Sequence, residues 1–288
     1  MGESFEVPRR RGFGCGLRLL IAAAIVGYAL FRYFTQTEVN PVTGEKQHIA
    51  MTADQEAALG LESAPVMARE MGGEVPPSEP PAKLVESIGH RVVAESDASR
   101  SPYTYDFHLL RDPQTINAFA LPGGQVFITY GLLRKLENEA QLAGVLGHEV
   151  GHVVNRHGAE HMAKGELGQL LTVATGVAGS DDQGRGQRAA MIAAMVNQLV
   201  QLKYSRNDEL ESDRFGLSAM TQAGYDPRAM LGVMRILEES SRGGAPPEML
   251  STHPYPEQRV AEIQRWLAEK YPGGVPHELT AGGELRGR

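Results

Sequence analysis

The sequence has almost no cysteine. Cys15 is the single cysteine in 288 residues, so the chain cannot form an intramolecular disulfide or a metal site built from thiolates. Any metal ion must therefore be held by histidine, aspartate and glutamate side chains. Such a ligand set favours a catalytic zinc over a structural one, because structural zinc sites depend mainly on cysteine.

The chain also lacks an excess of positive charge. Its formal net charge is −7 and no basic stripe runs through the body of the sequence, which argues against nucleic acid as the main partner. Hydrophobic residues make up 42% and charged residues 22%, as in an ordinary globular protein. With 288 residues, the chain can form one large domain or two small ones.

Long hydrophobic runs are missing as well, apart from one near the N-terminus. An arginine-rich start, residues 1–16, precedes an apolar run at 17–34 that is long enough to span a membrane if its arginines reach the interface. We predict an uncleaved transmembrane signal anchor at residues 17–34, with 1–16 in the cytoplasm and the remaining chain exported. A cleaved signal peptide is disfavoured because no small-residue cleavage site follows, and a buried core helix is the other alternative.

Turn signals and helical periodicity divide the remaining chain. Residues 35–50 are interpreted as a linker and residues 51–272 as the folded domain. Residues 273–288 are rich in glycine and charge and are predicted to be a disordered tail. Thr52 is expected to cap the first helix of the domain. Two apolar segments within residues 158–203 predict a helical hairpin that covers the site or contacts the membrane surface.

The region 103–130 alternates apolar and polar residues and predicts three short strands. Pro122-Gly-Gly124 separates the last two and is typical of a hairpin turn. We therefore expect a mostly helical α+β domain with a small, mostly antiparallel sheet. The last strand directly precedes the histidine-containing helix, and if it forms a sheet edge it would bind an extended peptide by strand addition; a plain core strand is the alternative interpretation. This predicted substrate strand comprises Gly124, Gln125, Val126, Phe127, Ile128 and Thr129.

The clearest chemical motif is His148-Glu-Val-Gly-His152. Two histidines four residues apart on a helix project from one face and can grip one metal ion, and Glu149 lies where it can take a proton from a metal-bound water. A hydrogen-bonded pair of core histidines is the alternative interpretation. Apolar residues occupy the opposite side of the helix, which is therefore expected to be buried. Three glycines on one flank, Gly144, Gly147 and Gly151, indicate close packing of another backbone.

A catalytic zinc needs a third protein ligand and an open position for water. The best source is a later helix that begins near Asp208 and carries two acids on one face, Glu209 and Asp213. If Glu209 binds the metal, Asp213 lies one turn along and can accept a hydrogen bond from a histidine ligand. Glu211 points to the opposite side, so we exclude it from the site. Acids also enrich the first turn of ordinary helices, because the helix dipole favours them.

Other histidines lie near these motifs without belonging to them. His253 precedes a proline and could line the site as a transition-state donor or an occasional extra ligand, or it could be a surface residue. His157 and His161 follow the motif helix, and we expect them to be solvated or hydrogen-bonded rather than to bind metal.

Four ordered motifs together resemble the HtpX / CAAX-prenyl-protease family of zinc metallopeptidases, peptidase family forty-eight. The layout is similar to that of its bacterial periplasmic and mitochondrial Oma-type members. The resemblance covers roughly residues 50–270 and rests on the segment 117–124, the helix with His148 and His152, Tyr204-Ser-Arg with the acid pair, and Ser251-Thr-His-Pro254 with Arg259.

The resemblance implies a gluzincin fold with one zinc ion per chain, held by His148, His152 and Glu209. It implies that Glu149 is the general base, that Asp213 lies behind a histidine ligand, and that the chain cleaves misfolded or membrane-associated proteins internally. It also strengthens the expectation that His253 lies at the active site. Together with the predicted anchor, it places the catalytic domain on the periplasmic side of a bacterial inner membrane.

Two other classes of function remain open at the level of sequence. The first is a zinc-binding, chaperone-like factor that shares the fold but has little proteolytic activity; the intact Glu149 argues against it. The second is a protein without metal, in which the histidines are structural. Several membrane spans are typical of prenyl-processing relatives, so the single predicted span argues against that activity.

Overall fold

The computed structural model describes residues 15–49, 51–165, 203–242, 247–254 and 256–285. These residues form a mostly helical α+β fold with small sheets, as the sequence predicts. Most of the predicted helical hairpin at 158–203 lies outside the described residues, which include only a helical stretch from 158 to 165 and residue 203 of that range.

Helix α1 (Cys15–Thr35) forms where the sequence predicts a membrane anchor. Among the residues that the structure describes, however, no helix is both long enough and apolar enough to cross a membrane. The predicted span is therefore not supported.

The predicted linker contains a small antiparallel hairpin, β1 (Thr37–Val39) and β2 (Lys46–His48). Asn40 at its turn is buried and donates a side-chain hydrogen bond to the carbonyl of Val154, at 2.7 Å. This contact fixes the hairpin to the end of the histidine-containing helix. The interpretation of residues 35–50 as a plain linker is therefore corrected, since buried polar contacts hold this segment against the domain.

Two helices precede the main sheet, α2 (Ala53–Glu70) and α3 (Pro80–Ala94), and a short 3₁₀ helix (Asp97–Arg100) follows them. Thr52 caps α2 as predicted. Its hydroxyl accepts from the backbone of Gln55, while the Gln55 side chain accepts from the Thr52 backbone in a reciprocal capping box.

The main sheet consists of β3 (Asp106–Leu110), β4 (Ala118–Leu121) and β5 (Gln125–Thr129), in the order β3-β5-β4. Strand β5 is antiparallel to β4 across the predicted glycine turn and parallel to β3. It is therefore the central strand, and every one of its residues is buried. The prediction that residues 124–129 form a substrate-binding edge is wrong, because both sides of β5 already pair; the outer strands of the sheet are β3 and β4.

The remaining elements surround helix α5 (Glu139–Val154), which carries the histidine motif and is buried from Ala140 to Val154 as predicted. A short helix, α4 (Tyr130–Leu133), connects the sheet to it. The elements that follow in the chain are α6 (Arg206–Gln222), α7 (Ala229–Ser241), α8 (Glu248–Thr252) and α9 (Pro256–Lys270).

The glycine flank of α5 packs against the backbone of α6, which confirms the close approach that the sequence predicts. A Cβ atom added to Gly147 would lie 3.2 Å from the Cα of Gly216, and one added to Gly151 would lie 3.0 Å from the Cα of Ser212. Gly144 instead faces methionine side chains. Because no side chains separate the two helices at the crossing, side chains that project from α5 and α6 beside it can meet.

The described part of the tail is ordered, which corrects the prediction of disorder for residues up to 285. The backbone N–H groups of Glu139 and Ala140 donate to the carbonyls of Gly283 and Ala281, at 3.0 and 2.9 Å. The first N–H groups of a helix have no partner within the helix. The tail supplies those partners to α5, so it is fixed at the start of the helix that carries the histidines.

Candidate metal centre

The crossing of α5 and α6 brings the predicted ligands together. The Nε2 atoms of His148 and His152 lie 3.1 Å apart, and the carboxylate of Glu209 lies 3.7 Å from the first and 3.5 Å from the second. His253 joins them, and one ligand atom from each of the four residues falls within 4.8 Å of all the others. All four side chains are buried.

The protonation pattern of this cluster suits a cation. Nδ1 of His148 lies 2.9 Å from Oδ1 of Asp213 and donates to it, so Nε2 presents a lone pair towards Nε2 of His152. Three buried atoms around this point have no hydrogen-bond partner among the described residues: both carboxylate oxygens of Glu149 and Nε2 of His253. Buried polar atoms rarely stay unpaired, and two imidazole nitrogens with a carboxylate oxygen match the ligand preference of zinc.

Burial and neighbouring charges set the ionisation of the ligands. Burial lowers the pKa of His152 well below its usual value, which keeps the imidazole neutral and able to bind a metal. Burial alone would raise the pKa of Glu209, but His253 and Arg259 outweigh this effect and hold it well below the usual range. Glu209 is therefore a carboxylate, as a zinc ligand must be.

Glu149 lies beside the ligands as the motif predicts. Its carboxylate is fully buried, and Oε1 is 3.7 Å from Nε2 of His253, beyond hydrogen-bonding distance. Since neither oxygen has a hydrogen-bond partner among the described residues, the carboxylate has free acceptor capacity within the metal centre.

Asp213 supports His148 and is itself held by Arg259. Nε and Nη2 of Arg259 donate to the two oxygens of Asp213 at 2.7 and 2.6 Å, and Nη1 lies 2.9 Å from Oε2 of Glu209. Burial would raise the pKa of Asp213, but Arg259 and His148 hold it below the usual value. Sequence reasoning gave Arg259 no role, although it stands in the motif that contains His253.

His253 is fully buried within the cluster, which excludes the alternative of a surface residue. Its Nδ1 lies 3.0 Å from Oε1 of Glu209 and 3.3 Å from Nε2 of His148. Burial lowers the pKa of His253, but the carboxylates of Glu209 and Glu149 outweigh it and raise the pKa above the usual value. His253 directly follows the short helix α8, and α9 begins at Pro256.

Glu211 lies outside the ligand cluster, as the sequence predicts. It points away from Glu209 and Asp213, and its Oε2 lies 3.1 Å from Nε2 of His157. His157 in turn lies 2.9 Å from the outer nitrogen of His152. On the other face of that ligand, the ring of Tyr204 stacks on His152 with the centroids 3.8 Å apart. Neither contact follows from helical periodicity, because both depend on how distant segments meet.

The free edge strand β4 flanks the metal centre, whereas the central strand β5 does not. A cavity of about 20 Å³ lies between the edge-strand residues Phe119, Ala120 and Leu121, Met67 of α2, and the metal-centre residue His253. The structure therefore brings together His148, His152, Glu149, Glu209, Asp213 and His253, and leaves the residues of the predicted substrate strand in the sheet core.

The family model for peptidase family M48 matches residues 80–267, a range that includes the whole of this metal centre. The chain belongs to peptidase family M48. The resemblance inferred from the four motifs is thereby confirmed.

Curated M48 relatives include bacterial and mitochondrial proteins. The Beta-barrel assembly-enhancing protease of Escherichia coli (strain K12) is 30% identical over 253 residues, which cover 85% of this chain and 50% of that protein. A putative protease of the same name from Vibrio cholerae is 36% identical over 66% of this chain and 40% of its own length. Mitochondrial metalloendopeptidase OMA1 of Schizosaccharomyces pombe is 31% identical over 93% of this chain and 76% of its own. The chain thus spans half or less of the length of these bacterial relatives.

Proposed function

We propose that the chain is a zinc-dependent metalloendopeptidase. One observation carries the proposal: the lone pairs of His148 and His152 and the carboxylate of Glu209 converge on one buried point, beside a Glu149 carboxylate with free acceptor capacity. Membership of family M48 supports it. A structural pair of core histidines would not require a buried carboxylate without partners next to it.

In this proposal His148, His152 and Glu209 hold one zinc ion per chain. A zinc ion bound there supplies Lewis acidity, which polarises a scissile carbonyl and lowers the pKa of a water molecule. Glu149 accepts a proton from the attacking water and later delivers it to the leaving amine as general acid. Asp213 holds the ring of His148 in the orientation that presents Nε2.

His253 completes the cluster, and two roles fit its position. Its Nδ1 lies among the ligand atoms, as an additional ligand requires, and its Nε2 has no hydrogen-bond partner among the described residues, as a donor to a developing oxyanion requires. A catalytic zinc site keeps one position open for water or substrate. When substrate takes that position, His253 is not a ligand and acts as a hydrogen-bond donor to the developing oxyanion.

The substrate is proposed to bind as an extended peptide along the edge strand β4 (Ala118–Leu121). Strand β5, which the sequence favours for this role, is paired on both sides. β4 is paired only to β5 among the described strands and lies next to the metal centre. Addition of a peptide strand to this edge would align its backbone with the ligands.

We further propose quality control of misfolded or membrane-associated proteins in a bacterial envelope, on the periplasmic side. The support is the similarity to proteases whose names refer to β-barrel assembly. β-Barrel proteins of this kind span the bacterial outer membrane. The −7 net charge supports protein rather than nucleic acid as the substrate.

The Glu149→Gln variant tests the proposed activity. It keeps the volume of the side chain and removes the proton acceptor, so zinc binding should persist while cleavage of casein falls by about 10²–10⁴-fold. Full activity in this variant would contradict the mechanism. A wild-type chain that binds zinc and cleaves no casein would favour the chaperone-like alternative.

A further inference from the structure

The two histidines of the metal centre have different partners for their outer nitrogens. His148 donates from Nδ1 to the carboxylate of Asp213 at 2.9 Å, the usual arrangement for a metal ligand. Nδ1 of His152 instead faces Nδ1 of a third histidine, His157, at 2.9 Å. The support of His152 is therefore a histidine, and the function proposed above leaves that histidine without a role.

The contacts that run from His152 through His157 to Glu211 form a path, and their geometry allows one consistent placement of protons along it. His152 must keep a lone pair on Nε2 to bind metal, so its proton lies on Nδ1 and is donated to His157. Nδ1 of His157 is then an acceptor, and the hydroxyl of Ser212 also lies 3.4 Å from it. The proton of His157 is left on Nε2, which lies 3.1 Å from Oε2 of Glu211. Every donor thus has an acceptor.

The path runs from the core to the surface. The side chains of His152 and His157 are almost completely buried, whereas that of Glu211 is 44% exposed. Each metal-binding histidine is thus supported by a carboxylate. Asp213 contacts His148 directly, whereas the imidazole of His157 lies between His152 and Glu211. Asp208 is a second acid near Nε2 of His157, at 4.0 Å, and it is bound more closely by His161 at 2.8 Å.

A turn at the end of α5 places His157 under His152. Arg156 has a φ of 57°, the only left-handed value for a residue other than glycine in the described part of the chain. Its guanidinium lies 2.9 Å from Oε1 of Glu56 through Nε and 2.9 Å from Oε2 of Glu38 through Nη1. These contacts hold a conformation that L side chains disfavour, and the next residue turns back towards the helix.

We infer that His157 is a positioning residue of the metal centre, which accepts the Nδ1 proton of His152 and, with Glu211, fixes the ring of that ligand. The inference rests on the proposed zinc site. It assigns a function to Glu211 and to the turn at Arg156, both of which lie outside the motif that binds the metal.

The test measures zinc affinity of the full chain by chelator competition, together with the visible absorption spectrum of the cobalt-substituted protein. His157→Ala removes the acceptor and should weaken zinc binding by about 10–100-fold and change the cobalt spectrum. His157→Asn should restore most of the affinity, because its amide oxygen can accept at the position of Nδ1. Glu211→Gln leaves both histidines in place and should cause a smaller loss of zinc affinity than His157→Ala.

His161→Ala is the matched control, since His161 lies one turn further along, pairs with an acid and does not contact His152. It should leave both readouts unchanged. Wild-type affinity and an unaltered cobalt spectrum in His157→Ala would overturn the inference, as would an asparagine variant no better than the alanine variant. If His157→Ala does not fold, unchanged zinc affinity together with an unaltered cobalt spectrum in Glu211→Ala overturns it. A wild-type chain without zinc would overturn the proposed site itself.

Discussion

Arg259 binds Asp213 through two parallel hydrogen bonds of 2.7 and 2.6 Å, and both side chains are buried. This pair joins α9 to α6 directly behind the metal centre. Its third nitrogen, Nη1, lies 2.9 Å from Glu209. One arginine therefore balances two buried carboxylates, and that balance keeps both of them ionised.

Removal of this arginine should be costly. Arg259→Ala leaves two buried acids without their cation, so we expect the free energy of unfolding to fall by about 3–5 kcal/mol in urea titrations. Arg259→Lys keeps the charge but loses the planar guanidinium, so its free energy of unfolding should lie between those of the wild type and Arg259→Ala. The control is Arg265→Ala on the same helix, an exposed ion pair with Glu262, for which less than about 1 kcal/mol is expected. Equal effects at the two positions would contradict this role.

The close packing of α5 on α6 is predicted to control both stability and metal affinity. In Gly216→Ala the new Cβ would lie 2.9 Å from the backbone nitrogen of His148. The helices must separate, which should cost about 1–3 kcal/mol of stability and weaken zinc binding, because Glu209 moves with α6.

Gly144→Ala provides the control for this substitution. Its Cβ would meet the flexible ends of Met230 and Met220, at 3.4 and 3.6 Å, and alanine gains about 1 kcal/mol of helix propensity over glycine. We expect this variant to be at least as stable as the wild type in thermal denaturation. A Gly216→Ala protein that is equally stable and binds zinc normally would show that the crossing has room for a methyl group.

Asp208 should make the stability depend on acid pH. Burial would raise its pKa, but His161, His157 and the Ser205 backbone hold it well below the ordinary 3.8. The carboxylate therefore contributes stability above that value, and the contribution is lost as the pH falls through the lower pKa of the folded state.

The measurement is the free energy of unfolding of Asp208→Asn between pH 7 and pH 2. At pH 7 the variant should be less stable by about 1.5–3 kcal/mol, the range for a hydrogen bond to a charged group, and this difference should shrink on acidification. Asp97→Asn, an exposed position, serves as the control. A difference that stays constant over the whole pH range would contradict the assignment.

The features predicted correctly from the sequence are those that one helix fixes by itself. Periodicity alone places His148, His152 and Glu149 on one arc of α5 and puts Glu209 and Asp213 on one face of α6. The glycine flank likewise indicates a close backbone partner. These directions depend on 3.6 residues per turn and require no knowledge of the remaining chain.

The features that were missed depend on contacts between distant segments. The order β3-β5-β4 turns the predicted edge strand into the central strand, and periodicity carries no information about strand order. Glu211 contacts His157 because the chain reverses at Arg156, which places His157 between Glu211 and the ligand His152. The described part of the tail is ordered because its carbonyls accept hydrogen bonds from the N–H groups of Glu139 and Ala140, which have no partner within α5.

The zinc content of the purified full chain, compared with that of Glu209→Ala, is the decisive measurement for the proposed metal centre. We expect one zinc ion per wild-type chain after dialysis. We expect a large loss of zinc when the carboxylate is removed, because only His148 and His152 then remain of the three proposed ligands. A wild-type chain without zinc, or a Glu209→Ala chain that retains it with unchanged affinity, would contradict the proposed metal centre.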